Sequence, residues 1–505
     1  MSEHNASVPV TSALATTTAS ATAAPGRNRV ELAGIEPPIA LGPLDGRYRP
    51  IVAPLTEHLS EAALNRARLD VEVSWLVHLT TTGALPGAPY LDDADIAYLR
   101  GVVDSFGAAE IAELAEIEAE TRHDVKAVEY FLKRRLAAAR DVLGEGSVLP
   151  DVGEIVHIFC TSEDINNLSY ALTIRDAVRQ VWQPAAIALV GELAALAKDN
   201  AEIPMLSRTH GQTATPTTLG KELAVLTARL RRQLRRISLT EFNGKINGAT
   251  GTYGAHAIAV PETDWQAVSR SFVEGLGLTW NPLTTQIEPH DWQAELYADV
   301  ARFNRILHNL CTDVWTYISL GYFRQRLSAQ GSTGSSTMPH KVNPIRFENA
   351  EANLEISSAL LDTLGATLVT SRLQRDLTDS TTQRNIGVAL GHSLLAIDNV
   401  RRGLAGLDVD VDAMARDLDD SWEVLGEAIQ SAMRAASVAG AEGMADPYER
   451  LKELTRGRRV DGEGMRELIA GLGLPEETAQ RLLALTPATY TGLAASLVDH
   501  LDDLP

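Results

Sequence analysis

The stretch from Gln293 to Leu320 contains neither glycine nor proline, and in it Leu296, Val300, Phe303, Leu307, Leu310, Val314 and Tyr317 recur in alternating steps of four and three. That spacing lays one apolar stripe along a helix of about seven turns, well beyond the usual globular length. A second such helix is predicted after Pro216, with Leu219, Leu223, Leu226, Leu230, Leu234 and Ile237 on one face. Its other face carries Arg229, Arg231, Arg232, Arg235 and Arg236; without interleaved aromatics this run reads as a solvated or subunit-facing surface rather than a nucleic-acid site. Proline is absent from Ile345 through Asp446, and period-two alternation of β-branched residues is missing there too. Helices this long bury their seams against other long helices, so the expected fold is all-α, built on an elongated bundle shared between subunits.

The rest of the chain is arranged around that bundle. Sixteen of the first 26 residues are Ala, Ser or Thr, and no lysine or arginine precedes Arg27, which suits a disordered tail over residues 1–35 better than a signal or transit peptide. The turn-rich segment Gly144–Gly153 closes a first helical domain, 36–150. The pattern breaks again between Gly403 and Asp412, leaving a long-helix domain over 151–402 and a C-terminal helical domain over 403–505.

Charge and cysteine content narrow the function. With 45 Lys+Arg against 66 Asp+Glu the formal charge is -21, which disfavours nucleic acid and anionic membranes as partners and requires a locally basic pocket for any anionic substrate. No uninterrupted apolar run approaches the roughly 20 residues of a bilayer span. Cys160 and Cys311 cannot make a disulfide framework and read as buried free thiols in a reducing compartment, so a cytoplasmic location is expected.

The chemistry concentrates in Ser328–Asn349, S-A-Q-G-S-T-G-S-S-T-M-P-H-K-V-N-P-I-R-F-E-N. Its small polar run from Gly331 to Ser336 has backbone N–H groups free to receive an anion; Lys341 adds a point charge and Asn343 both donors and an acceptor. The string G-S-S-x-M-P-x-K-x-N resembles the signature of the fumarase/aspartase superfamily of β-eliminating lyases, and two further segments resemble it in the same order: T-S-E-D-I-N-N from Thr161, and S-R-T-H-G-Q from Ser207. The strings D-G-R-Y from Asp45, H-D-V-K-A-V-E-Y from His123, K-I-N-G from Lys245, Q-I-E-P-H-D from Gln286 and Q-R-D-L-T-D-S from Gln374 are similar to the adenylosuccinate lyase branch in its bacterial form. The likeness runs from about Ile39 to near the C-terminus.

That resemblance implies three helical domains, a homotetramer with active sites assembled from three subunits, purine nucleotide substrates and no cofactor or metal. The implied reactions release fumarate from adenylosuccinate, giving AMP, and from succinylaminoimidazole carboxamide ribotide. It also implies the roles: Ser335 as base, His210 as acid, Glu348 orienting that histidine, Lys341 stabilising charge, and His123 as a second candidate for acid or for phosphate contact. Arg47, Tyr48, Arg122, His123, Asp124, Thr161, Ser162, Gln286, Ser336, Lys341, Val342, Asn343, Asn349, Arg375, Ser380, Thr381 and Arg384 fall on substrate-contact positions, and their types suit a ligand with one phosphate and two carboxylates. Arg122 departs from the pattern, which commonly has a small polar residue there. Two other classes compete. The dipeptides His123-Asp124 and His290-Asp291 loosely resemble metal-dependent phosphohydrolase sites, which a chelator would inactivate. A non-catalytic helical scaffold would tolerate loss of Ser335, His210 or Lys341, yet all three are present. The Gly/Ser content around Ser335 further suggests a mobile lid.

Overall fold

In a computed structural model of the chain, described for residues 41–326, 338, 341–444, 447, 449, 452 and 461–503, the architecture is all-α. The tail over residues 1–35 and the expected lid, with Ser335 and Ser336, lie outside the described residues. The helices that place the site are α1 (Glu61–Thr81), α2 (Ala108–Thr121), α3 (Asp124–Ala137), α4 (Ser162–Asp176), α5 (Gln183–Asp199), α6 (Leu219–Ser238), α7 (Asp291–Ser319), α8 (Ile345–Leu368), α9 (Thr378–Gln383) and α10 (Ile386–Ala405). Strands occur among the described residues only as four short two-stranded ladders.

The bundle consists of α5, α6, α7, α8 and α10: α7 packs along α6 and α8, and α10 bridges α8 and α5. At 29 residues α7 makes about eight turns. Leu296, Val300, Phe303, Leu307, Leu310 and Val314 are buried as the stripe requires, and so are all six predicted positions of α6. Tyr317, at the end of α7, is only half-buried, flanked there by the rings of Tyr322 and Phe323. A buried polar chain fixes how the helices meet. The Trp182 indole donates to Ser393 Oγ (2.8 Å), Ser393 to Asn304 Oδ1 (2.7 Å), Asn304 Nδ2 to Ser357 Oγ (3.0 Å), and Ser357 to the Ala389 carbonyl (2.7 Å). Sliding any one helix by a turn would orphan these groups in a low-dielectric interior, so the chain selects one register.

Helices α4 and α5 are one continuous rod joined by a π-helical segment, Ala177–Trp182. Pro184 lacks an N–H and would crowd the carbonyl four residues back; widening the preceding turn removes that conflict. This 38-residue rod, Ser162–Asp199, is long and apolar enough by length and composition alone to cross a bilayer. Here it packs against α1, α6 and α10 as a core helix, with Leu168, Ile174, Trp182 and Leu189 fully buried. The arginine run of α6 is more engaged than its sequence suggests. Arg229 donates to Asn309 (3.0 Å), Arg236 pairs with Asp299 (2.7 Å) and Arg231 reaches the Leu501 carbonyl, whereas Arg232 and Arg235 face solvent.

One hydrophobic core runs from Leu55 through the bundle to Val498 and Leu501, where the C-terminal turn returns to α6. A second, smaller core joins Leu425, Ile429 and Met433 to Met465, Ile469 and Leu482. Both cysteines are free; Cys311 is buried on α7, but Cys160 is only half-buried because it sits in the loop entering α4.

Candidate active site

Three clusters hold the described candidates. The largest begins at the loop between α2 and α3. Arg122 ends α2 in a left-handed conformation (φ +53°), its N–H closing on the Glu118 carbonyl (2.7 Å), and its side chain is exposed. His123 caps α3: Nδ1 accepts the Lys126 N–H (3.2 Å), which places the imidazole proton on the exposed Nε2 side. Asp124 binds Arg68 (2.8 Å), Arg384 (3.3 Å) and its neighbour's N–H at Val125 (2.9 Å). Burial alone would raise the Asp124 carboxyl, but Arg68, the Val125 N–H and Arg384 outweigh it and hold it below the ordinary carboxylate value.

From Arg68 the cluster continues inward. Arg68 is buried mid-helix on α1 and also donates to Asn166 Oδ1 (2.8 Å) and Asn65 Oδ1 (2.8 Å). Asn166 donates to Glu163 (2.8 Å), and Glu163 binds Arg375 (2.8 Å). Arg375 also donates to Gln286 Oε1 (3.3 Å), whose amide donates to the Ala249 carbonyl (2.9 Å). Gln286, Arg375, Asp124 and Arg384 therefore belong to one network within the chain, with the His123 ring beside Asp124 (3.7 Å) and Thr161 and Ser162 at the α4 N-terminus beside Glu163. Ser380 and Thr381 lie on α9, the short helix that Arg384 ends.

The second cluster is the hairpin of Arg208–Thr209 and Gln212–Thr213, whose two-residue turn is His210 (φ +53°) and Gly211 (φ +74°). Two successive positive φ angles match the twist of a tight hairpin, and glycine supplies the second at no steric cost. His210 adopts the first and is pushed to the tip, exposed and with no hydrogen-bond partner among the described residues. Arg208 anchors the hairpin on Tyr322 (3.0 Å) and Asp417 (2.5 Å).

The third cluster lies at the start of α8. Asn349 donates to the Tyr48 hydroxyl (3.2 Å) and accepts from Asn399 (2.9 Å) and Asn353 (3.1 Å). Glu348 is exposed and accepts from the Trp315 indole (3.2 Å), so within one chain it does not hold His210. Lys341 is exposed, its N–H bound to the Met338 carbonyl (2.9 Å); the Val342 carbonyl accepts from Gln325 (2.9 Å), and Asn343 is half-buried beside them. Arg47 is exposed, its guanidinium 5.6 Å from the Tyr48 ring centroid.

Several structural partners were not singled out from the sequence. Asp164 and Lys245 form a fully buried ion pair (2.8 Å), and Asp164 also accepts the N–H groups of Thr161 (2.8 Å), Asn247 (2.9 Å) and Gly248 (3.1 Å). This one carboxylate pins the K-I-N-G loop to the α4 N-terminus. Both residues lie in strings quoted above, but their mutual contact spans 81 positions and leaves no local pattern. Arg68 had no distinct signal, because Arg66 also lies between Leu64 and Leu69 and the polar Asn65 and Glu72 share its helix face. Glu288, two residues after Gln286, is 1% exposed and accepts from Asn281 (3.0 Å) and Trp292 (3.1 Å). His290 beside it contacts Asp379 and Gln383 (both 3.4 Å), and so ties the Gln286 loop to α9.

Residues 46–355 match the lyase family, and residues 371–491 match the adenylosuccinate lyase C-terminal family. The chain is 49% identical to adenylosuccinate lyase of Escherichia coli K12 over 92% of its own length and 98% of that protein. It is 48% identical to the Haemophilus influenzae enzyme and 47% to that of Vibrio cholerae, with the same coverage. Its fold is similar to fumarate lyase from Mesorhizobium (TM-score 0.68, 21% identity, 89% of this chain and 97% of that one). It is equally similar to the 3-carboxy-cis,cis-muconate lactonizing enzyme of Pseudomonas putida (TM-score 0.67, 21% identity, 89% and 96%). With both halves of the family matched and nearly the whole of each relative covered, the chain is a lyase that belongs to the adenylosuccinate lyase family.

Proposed function

We propose that the enzyme eliminates fumarate from adenylosuccinate and from succinylaminoimidazole carboxamide ribotide, with Ser335 as base and His210 as acid. The observation that carries the substrate is the 49% identity to an adenylosuccinate lyase over 92% of the chain. The reaction removes a proton from the carbon beside a carboxylate and protonates the departing nitrogen, so it needs a base, an acid and fixed positive charge. Ser335 must be ionised to act; the N–H groups of its Gly-Ser loop and Lys341 are the groups suited to stabilise that alkoxide. His210 stands on a turn that points it away from its own chain. A homotetramer would bring it to Glu348 and to the His123–Arg384 network of other subunits, and this reading supplies the partner it lacks. His123, with its proton on Nε2, suits a phosphate or carboxylate oxygen, as do Arg47, Arg122, Arg375 and Arg384. A division near residues 150 and 402, a cytoplasmic location and turnover without cofactor or metal complete the proposal.

The test is fumarate release from adenylosuccinate in the presence of EDTA, by the parent protein and by Ser335→Ala. Release by the parent and a loss of about 10²–10⁴-fold or more in the variant are expected. No release from either succinylated nucleotide would sink the reading.

A further inference from the structure

We propose that Glu61 is a resident counter-anion on Arg384, which an anionic group of the substrate displaces, so that Glu61 sets substrate affinity without taking part in the chemistry. The inference rests on the proposed placement of Arg384 against the substrate. Around the first cluster three guanidiniums, Arg68, Arg375 and Arg384, face three carboxylates, Asp124, Glu163 and Glu61. These three guanidiniums are thus neutralised within the chain, which leaves Arg122 as the cluster's one unpaired arginine among the described residues, although a polyanionic ligand needs more unspent positive charge there.

The three carboxylates differ in how easily they can leave. Glu163 is buried and held by Asn166 as well as Arg375. Asp124 accepts from Arg68 and from the Val125 N–H besides Arg384. Glu61 has Arg384 (2.5 Å) as its one partner among the described residues, and its side chain is 76% exposed. A cleft lined by Ser60, Glu61, Tyr170, Gln383 and Arg384 opens beside the pair. An exposed pair of this kind is worth little in water, whereas a phosphate or carboxylate bound by the same guanidinium can form two charge-assisted bonds. Asp124 meanwhile keeps its bond to the second guanidinium nitrogen and preserves the orientation of Arg384. The helix start does not depend on Glu61, because Ser60 Oγ caps α1 through the Ala63 N–H (3.1 Å).

The experiment compares KM and kcat for adenylosuccinate, and inhibition constants for AMP and for fumarate, in the parent, Glu61→Gln and Arg384→Ala. In Glu61→Gln the KM falls about two- to fivefold, the range of an exposed ion pair, with kcat little changed. The inhibition constant of one product falls in step: AMP if Arg384 takes the phosphate, fumarate if it takes a carboxylate. A purely structural role would lower the thermal midpoint without tightening either product. The inference is overturned if Arg384→Ala raises KM while Glu61→Gln leaves KM and both inhibition constants unchanged or raised. If Arg384→Ala leaves KM unaltered, the placement of Arg384 against the substrate falls as well.

Discussion

Glu163 and Asp124 are each held by a guanidinium from a distant part of the same chain, whereas the exposed His210 imidazole, on its hairpin tip, has no hydrogen-bond or ion-pair partner among the described residues. The first arrangement is paid for by folding: Arg68, Asn166 and Arg375 are fixed before any ligand arrives, which lowers the cost of binding one. The second leaves its geometry to be set by whatever packs against the hairpin. In one region the proposed binding residues are also stability residues; in the other a candidate catalytic residue makes no side-chain bond among the described residues. Mutations should therefore separate the two.

The strongest separation is expected at the hairpin. His210→Ala should lower kcat by about 10²–10⁴-fold while leaving the thermal midpoint where it was, since no side-chain bond among the described residues is lost. Glu348→Gln should likewise impair turnover. Glu348 binds Trp315 rather than His210 within one chain, so in the proposed shared site the two defects would lie in different subunits. Dissociating and reassociating a mixture of the two inactive variants should then restore activity that neither has alone; a mixture as inactive as its parts would show that His210 and Glu348 do not meet across subunits.

Lys245→Met probes the opposite side of the comparison. It leaves the Asp164 carboxylate in the core with backbone donors and no cation, and removing one partner of a buried pair costs about 3–5 kcal/mol. The thermal midpoint should fall sharply, and activity at temperatures well below it should fall less than in His210→Ala. An unmoved midpoint would mean that the four N–H and ammonium donors around Asp164 are redundant.

This contrast also marks what the sequence could disclose. The seams of α6 and α7 were legible because helical periodicity is a local property that survives without knowing the neighbours: all six predicted positions of α6 are buried. The site strings were legible as residue types. Their arrangement was not, because Arg68 meets Asn166 across 98 positions and Arg375 meets Glu163 across 212, and nothing near either residue encodes the distance. The His210 turn is intermediate. His-Gly between two short polar segments is a hairpin signal, but only pairing of Arg208 with Thr213 shows that the histidine is thrust outward. The arginine face of α6 was legible as surface, since Arg232, Arg235 and Arg236 are exposed, but the partners that Arg236 and Arg229 find on α7 were not.

The smallest expected effect lies at the edge of the held network, at Glu288. This residue anchors the loop that presents Gln286 to Arg375, and burial pushes its carboxyl up from the ordinary 4.5 to about 7, although the N–H groups of Asn281 and Trp292 and the nearby His290 pull the other way. Between about pH 4.5 and 7 the folded protein holds this proton while an unfolded chain has released it. Folding is thus favoured at the acid end of the window, and the advantage is lost as pH rises through 7, by at most on the order of 3 kcal/mol. Glu288→Gln keeps the shape but cannot titrate. Thermal midpoints taken from pH 5 to 8 should decline more steeply in the parent than in Glu288→Gln, and the variant should overtake the parent above pH 7. Parallel curves would show that the carboxyl is ionised throughout, and would make Asn281 and Trp292 sufficient hosts for a buried charge.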